Sequence, residues 1–139
     1  MERQHRVQWA GGLRFIGTSA SGHSTVMDSD GERGMTPMEM LLLGTGACAA
    51  IDLVMILKKG RQEVVDADVE VGGLRRDEMP RYFTEVEMHF VVKGRSLAPA
   101  KVERAIDLAM EKYCSASAQL RALAEIRTSY EIVEADLPA

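Results

Sequence analysis

Apolar and polar residues alternate from position 7 to 9 and again from 13 to 15, with Ala-Gly-Gly between the two runs. This period of two predicts a first hairpin with one apolar face, and a third strand is predicted at 24–27. A loop rich in Asp, Ser and Gly follows at 28–34. The N-terminal segment is therefore expected to form a small sheet that leads into the next element.

The most apolar stretch of the chain spans residues 36–60, TPMEMLLLGTGACAAIDLVMILKKG. Thr36 and Glu39 have the spacing of a capping box, and Pro37 suits the first helical position. The Lys-Lys-Gly sequence at its end is typical of a helix C-terminus. These signals predict one long helix whose only charge beyond the first turn and before that end is Asp52.

One face of this helix begins with small side chains, which allow another backbone to approach closely. It consists of Gly44, Ala47, Cys48, Ile51 and Met55. Because the helix is apolar nearly all round, it needs cover on every side. One modest sheet and one other long helix do not supply enough of that cover. We therefore expect a homodimer with an interface above about 2,000 Å², in which Asp52 pairs with a basic residue.

After residue 60 the period changes to two, which predicts two strands joined as an antiparallel pair by the charged stretch 75–81. Their inward positions are Val65, Ala67, Val69 and Val71, then Val86, Met88, Phe90 and Val92. A second, amphipathic helix is predicted at 99–113, with Val102, Ala105, Ile106, Ala109 and Tyr113 inward. A short helix to residue 123, capped by Ser115, and a last strand around Ile126, Tyr130 and Ile132 follow. This order predicts an α+β protein with antiparallel sheets covering helices on one face.

Composition places the chain among ordinary globular proteins and predicts a single domain over residues 1–139, with 46% hydrophobic and 27% charged residues. A net charge of −4 without an extended Lys/Arg run argues against a nucleic-acid partner. The polar N-terminus lacks a signal-peptide pattern, which predicts a cytoplasmic protein. Asp52 and the Gly/Thr interruption argue that the long helix belongs to a core and not to a membrane.

Cys48 and Cys114 are the only cysteines. They are 66 positions apart, without CxxC or zinc-ligand spacing, and no metal or cofactor is predicted. Two buried structural cysteines are one interpretation. Cys48 lies about three turns inside its helix and needs a nearby cation to react as a thiolate, whereas Cys114 precedes the start of a helix, which favours a thiolate.

Three charged residues are candidates to assist a thiol. Glu39 is able to orient a group beside Cys48, although a capping box also explains it. Arg14 projects opposite to its apolar neighbours and, like Arg33 in the loop, is a candidate to stabilise a thiolate, with ordinary surface charge as the alternative.

Three segments carry a resemblance to a known family: WAGGLRFIGTSASGH, MTPMEMLLLGTGACAAIDLVMILKKGRQEVVDADVEV and RAIDLAMEKYCSASA. In order and spacing the chain resembles the OsmC/Ohr family of thiol-dependent peroxidases, and within it the YhfA-like branch. The resemblance implies two central helices wrapped by sheets in an intertwined homodimer, with two sites at the subunit interface. It also implies that Cys48 attacks an organic hydroperoxide and that Cys114 then forms a disulfide, which an external dithiol reduces.

The sequence departs from the peroxidase members of that family at two positions. Those members carry a glutamate directly after the helix-entry proline, where this chain has Met38 and places Glu39 one residue later. A shift of one position rotates a helical side chain by about 100°. The activating arginine of those members aligns near Asp28, which leaves Arg14 or Arg33 as substitutes.

The sequence therefore supports two functional hypotheses. The first is a Cys-dependent peroxidase of the oxidative stress response, with Cys48 as nucleophile, Cys114 as resolving thiol, and Glu39 and Arg14 assisting. Organic hydroperoxides are its expected substrates and an external dithiol its reductant. The second is a non-catalytic dimeric protein whose cysteines line an interface pocket for a small molecule.

Overall fold

The computed structural model describes residues 1–136 and comprises two compact units, one formed by Met1–Leu41 and one that begins at Leu42. In the first unit, β1 (Arg6–Trp9), β2 (Arg14–Thr18) and β3 (Ser24–Asp28) form an antiparallel sheet in the order β1-β2-β3. The predicted hairpin and third strand are thus confirmed. The single domain predicted over residues 1–139 stays a prediction.

The long helix α1 (Pro37–Lys59) begins and ends where the sequence predicts. Thr36 N–H donates to Glu39 Oε1 at 2.8 Å, and Glu39 N–H donates to Thr36 Oγ1 at 3.1 Å. This reciprocal pair is a complete capping box. By length and composition α1 is able to cross a membrane, but its side formed by Thr45, Gly46, Ala49, Leu53 and Leu57 is buried within the protein.

The second unit contains a sheet of β4 (Glu63–Arg75), β5 (Phe83–Arg95) and β6 (Glu125–Glu134) in that order. The β4–β5 pair is antiparallel as predicted. The β5–β6 pair is parallel, which corrects the expectation of purely antiparallel sheets. A parallel neighbour requires a crossover connection, and here residues 96–124 supply it with helices.

The inward face of β5 is confirmed, because Val86, Met88, Phe90 and Val92 are all at most 1% exposed. The first inward position predicted for β4 is wrong, since Val65 is 49% exposed. A register shift between Val64 and Asp66 leaves Val65 as an extra residue on this strand. Such a β-bulge moves the alternation by one position and is not visible in the hydrophobic pattern.

The crossover contains α2 (Pro99–Leu108), a π-helical turn (Ala109–Tyr113) and α3 (Ser115–Arg121). Four of the five predicted inward positions of the second helix are buried, but Tyr113 is 49% exposed. The π turn adds one residue to a helical turn and thereby rotates the residues that follow it. The N-cap of α3 is Cys114 and not the predicted Ser115.

Gly46 lies where α1 packs against β4. A Cβ atom at this position would lie 2.5 Å from Val71 Cγ2. We therefore expect Gly46→Val to lower the free energy of unfolding by about 1–3 kcal/mol through overpacking, measured by urea unfolding at fixed protein concentration. Gly72→Val is the matched control, because a Cβ there meets nothing within 4 Å. Equal stability of the two variants would contradict this packing.

Candidate functional site

The two cysteines, distant in sequence, meet in the second unit. Cys48 Sγ, Cys114 Sγ and a carboxylate oxygen of Asp52 all lie within 4.8 Å of one another. Both cysteines are free thiols. We call these three residues the thiol–carboxylate cluster.

The helix α1 supplies two members of this cluster. Cys48 and Asp52 are four residues apart and therefore lie on the same face, one turn from each other. Both side chains are half-buried. None of the ion pairs formed within residues 1–136 involves Asp52, and the ion pair predicted for it at a subunit interface stays a prediction.

The third member is placed by the π-helical turn. Cys114 N–H donates to Ala109 O at 2.7 Å and closes that turn. Cys114 Sγ then accepts a hydrogen bond from Ser117 N–H at 3.4 Å and lies 4.0 Å from Thr45 O, to which its S–H donates. Ser117 Oγ donates to Cys114 O at 3.1 Å. These contacts fix the sulfur at the beginning of α3.

The two thiols differ in access to solvent. Cys114 is 3% exposed, whereas Cys48 is half-buried. In the single chain, Cys48 is therefore the more accessible of the two thiols. The sulfurs of a disulfide are about 2.0 Å apart. Cys48 Sγ and Cys114 Sγ lie within 4.8 Å of each other, a difference that rotation of the two side chains is able to close.

Glu39 lies in the first unit and is engaged in the capping box. The hydrogen bond from Thr36 N–H, followed by the contact with the Thr36 side chain, holds the pKa of Glu39 below its ordinary value of 4.5. The carboxylate is exposed and stabilises the start of α1. A role for Glu39 in thiol chemistry stays a prediction.

Arg14 also lies in the first unit, opposite Asp28 in the β2–β3 register. Asp28 is 6% exposed and its Oδ2 accepts a hydrogen bond from Arg33 N–H at 3.3 Å. The pKa of the nearby Asp30 is lowered, chiefly by a hydrogen bond from Glu32 N–H and to a lesser extent by the charge of Arg14. The Arg14 guanidinium thus interacts with the acidic loop, and its assistance to a thiolate stays a prediction.

An open cavity of about 460 Å³ lies in the first unit. Its lining is mostly apolar, with one buried carboxylate, and consists of Val7, Leu13, Phe15, Met27, Asp28, Ser29 and Pro37. Cavities of this size and character accommodate small apolar ligands. This cavity could not be predicted from the sequence, because its lining comes from three strands, a loop and a helix start.

The sequence alone predicts an interface ion pair for Asp52. Its four-residue spacing from Cys48 was the available signal, since that spacing places two side chains on one helix face. Ser117 was not identified. Its backbone N–H contacts the sulfur only because Cys114 caps α3.

The capping box gives a prediction about stability. Thr36→Ala removes the hydroxyl that accepts a hydrogen bond from Glu39 N–H. We therefore expect this variant to lose about 1 kcal/mol in the free energy of unfolding at neutral pH, measured by urea unfolding.

The lowered pKa of Glu39 gives a second prediction, about pH. Because folding lowers this pKa, the stabilising contribution of Glu39 is present above the pKa of the unfolded chain and is lost as the pH falls through the pKa of the folded chain. The unfolding midpoint of the wild type should therefore fall more steeply than that of Glu39→Gln on acidification below about pH 4.5. Glu32→Gln is the control, and a Glu39→Gln profile equal to it would contradict this role.

The fold, with a mid-helix cysteine beside a cysteine that caps a second helix, defines the class of protein. The chain belongs to the OsmC-like family, whose model, described as OsmC-like protein, matches residues 29–129. It is 51% identical over 133 residues to Protein YhfA of Escherichia coli (strain K12), covering 95% of this chain and 99% of that protein. The family resemblance found in the sequence is thus confirmed.

Solved structures have the same fold. A hypothetical protein from Aquifex aeolicus VF5 superposes with a TM-score of 0.87 at 30% identity, covering 98% of this chain and 100% of that one. The organic hydroperoxide resistance protein OhrB of Bacillus subtilis superposes with a TM-score of 0.63 at 22% identity, covering 91% and 97%. The second likeness is one of fold alone.

Proposed function

We propose that this protein is a cytoplasmic, dimeric, thiol-dependent peroxidase that reduces organic hydroperoxides through a disulfide between Cys48 and Cys114. Membership of the OsmC-like family supports the broader description as a redox or stress protein. The observation that carries the proposal is the meeting of the two sulfurs within 4.8 Å, despite 66 positions between them in sequence. Cysteines that are only core residues have no need to meet.

The proposed reaction has two steps. The Cys48 thiolate attacks one peroxide oxygen, the O–O bond breaks, and the alcohol leaves with a proton while Cys48 becomes a sulfenic acid. The Cys114 thiolate then attacks the Cys48 sulfur, the S–O bond breaks, and water leaves as the disulfide forms. An external dithiol returns both cysteines to thiols. The half-buried Cys48 suits the first role and the buried Cys114 the second.

Asp52 is the titratable neighbour of both thiols within the thiol–carboxylate cluster. A carboxylate at this distance is placed to accept a proton released by either cysteine, directly or through one water. Asp52 is therefore the proposed proton acceptor within the thiol–carboxylate cluster.

The proposed dimer is supported by the exposed face of α1. In the single chain Ile51 is 60% and Met55 64% exposed. Gly44 and Ala47 on the same face are also exposed. An apolar helix face with small residues at one end allows close contact with a second copy of the same chain.

The first unit supports the same conclusion. Asp28 is the only fully buried residue in the range 1–41. The large apolar side chains of the first unit are exposed, among them Val7, Trp9, Leu13, Phe15, Ile16 and Val26. A three-stranded sheet without a core is marginal in water, so exchange of this unit between subunits, as in an intertwined dimer, would stabilise it.

The proposal is tested with the reduced, full-length protein and one equivalent of cumene hydroperoxide. Mass spectrometry should show a loss of two hydrogens, and digestion should give one crosslinked pair of peptides containing Cys48 and Cys114. An external dithiol should reverse the change. Wild-type protein that stays fully reduced while folded would overturn the peroxidase proposal.

A second candidate function is binding of a small apolar molecule, favoured by the cavity of the first unit, whose lining does not include the cysteines that were expected to line such a pocket. Trp9, the only tryptophan, lies in β1 two residues after the cavity-lining Val7 and is a natural reporter. Under this alternative a medium-chain alcohol should change Trp9 fluorescence equally in wild type and in a variant with both cysteines replaced by serine. The Leu13→Gln variant should respond much less.

A further inference from the structure

We propose that the reduced thiol–carboxylate cluster binds a thiophilic divalent cation of the zinc class, with Cys48 Sγ, Cys114 Sγ and an Asp52 carboxylate oxygen as ligands. Each of the three side chains offers one ligand atom, and these atoms converge in one place. This site is independent of peroxide reduction. It requires only that the three side chains meet.

The geometry of the cluster is close to that of a zinc site. Tetrahedral zinc with bonds of about 2.3 Å to sulfur and 2.0–2.2 Å to oxygen places its ligand atoms about 3.5–3.8 Å apart. The three atoms of the cluster already lie within 4.8 Å of one another. The ligand atoms therefore need to approach one another by at most about 1.3 Å to enclose a cation.

The chemistry of the donors selects the cation. Thiolates prefer zinc and other soft or borderline metals over magnesium and calcium, and a carboxylate completes such sets in proteins. Three protein ligands leave a fourth tetrahedral position for water or a small molecule. Three acidic groups this close repel one another when ionised, and a divalent cation removes that repulsion.

The surroundings hold the ligands in place. Cys48 and Asp52 lie one turn apart on α1, the four-residue spacing by which a rigid helix presents two ligands to one ion. The Ser117 N–H donates to Cys114 Sγ, and a ligated sulfur keeps a lone pair for that hydrogen bond. The ligands thus come from a long helix and a capped helix start, both rigid elements.

Cation binding and disulfide formation exclude each other. Binding releases one proton from each thiol and joins both sulfurs to the cation. When a hydroperoxide oxidises the pair, the two thiolates lose two electrons and form the S–S bond, while the peroxide takes up two protons to give alcohol and water. In the oxidised cluster Asp52 is the only anionic ligand that remains for the cation, so the cation is released.

The test uses full-length, tag-free, reduced protein under anaerobic conditions, titrated with Co²⁺ and then with Zn²⁺. We expect one Co²⁺ per chain, with thiolate-to-cobalt charge-transfer absorption and the intense visible bands of a tetrahedral site, and displacement by Zn²⁺. The disulfide form should show neither. Asp52→Asn should weaken Zn²⁺ binding by at least about 10-fold, because even residues outside the ligand set change affinity by 10–100-fold.

The control is Asp68→Asn, an exposed aspartate on β4, which should bind Zn²⁺ with wild-type affinity. The proposal is overturned if the reduced wild type gives no charge-transfer absorption, or if Asp52→Asn and Asp68→Asn bind equally. Because Asp52→Asn keeps both thiols, the test does not depend on cysteine variants that fold poorly. Disulfide formation by hydroperoxide is measured with a chelator present, so failure of either proposal leaves the other standing.

Discussion

Serine in place of Cys48 should abolish disulfide formation and slow hydroperoxide consumption by at least about 100-fold, because the covalent route itself is removed. Serine in place of Cys114 should have a different effect. The sulfenic acid on Cys48 then has no partner thiol and reacts with a second peroxide to give the sulfinic acid. Mass spectrometry should show two added oxygens on the Cys48 peptide of Cys114→Ser and none on that of Cys48→Ser.

The matched control is Ser115→Ala, which alters the exposed neighbour of Cys114 and leaves the cap of α3 intact. It should form the disulfide as the wild type does. Organic hydroperoxides should react faster than hydrogen peroxide, because the exposed, apolar Ile51 lies on the same face of α1 as Cys48 and favours an alkyl tail. Rapid peroxide consumption by Cys48→Ser would contradict the role of Cys48 as nucleophile.

A charge on the exposed face of α1 should convert the proposed dimer into monomers. Ile51 is 60% exposed in the single chain and lies in the middle of that face. Ile51→Glu would bury an unpaired carboxylate in an apolar interface, which costs several kcal/mol and disfavours association. Sedimentation equilibrium at micromolar concentration should give the dimer mass for wild type and the monomer mass for Ile51→Glu.

Met79→Glu is the control for this experiment, because Met79 is 83% exposed and lies in the connection between β4 and β5. It should remain dimeric. A wild type that sediments as a monomer would contradict the dimer itself. A dimeric Ile51→Glu would show that subunits associate through another surface.

Features that depend on neighbours in sequence could be predicted. The capping box of Thr36 and Glu39 involves residues three positions apart, so its hydrogen bonds follow from local geometry. The burial of alternate residues in β5 follows from the period of two in any strand with one covered face. The order of elements and the α+β class follow from the same two periods.

Features that depend on single-residue irregularities could not be predicted. The bulge at Val65 and the π turn before Cys114 each add one residue to a regular repeat. The hydrophobic pattern averages over several positions and does not register one extra residue. The cap of α3 was therefore assigned to Ser115, although Cys114 occupies it.

By itself, the sequence determined the family, the long apolar helix and the identity of the two cysteines, because these reside in local patterns and in residue types. The family resemblance implied that Cys48 and Cys114 meet, and the tertiary structure showed that Asp52 joins them in one cluster. The tertiary structure also decided that β6 runs parallel to β5. Contacts between residues so far apart depend on how α1, the crossover helices and the sheet pack together, and a spacing of 66 positions carries no signal of that packing.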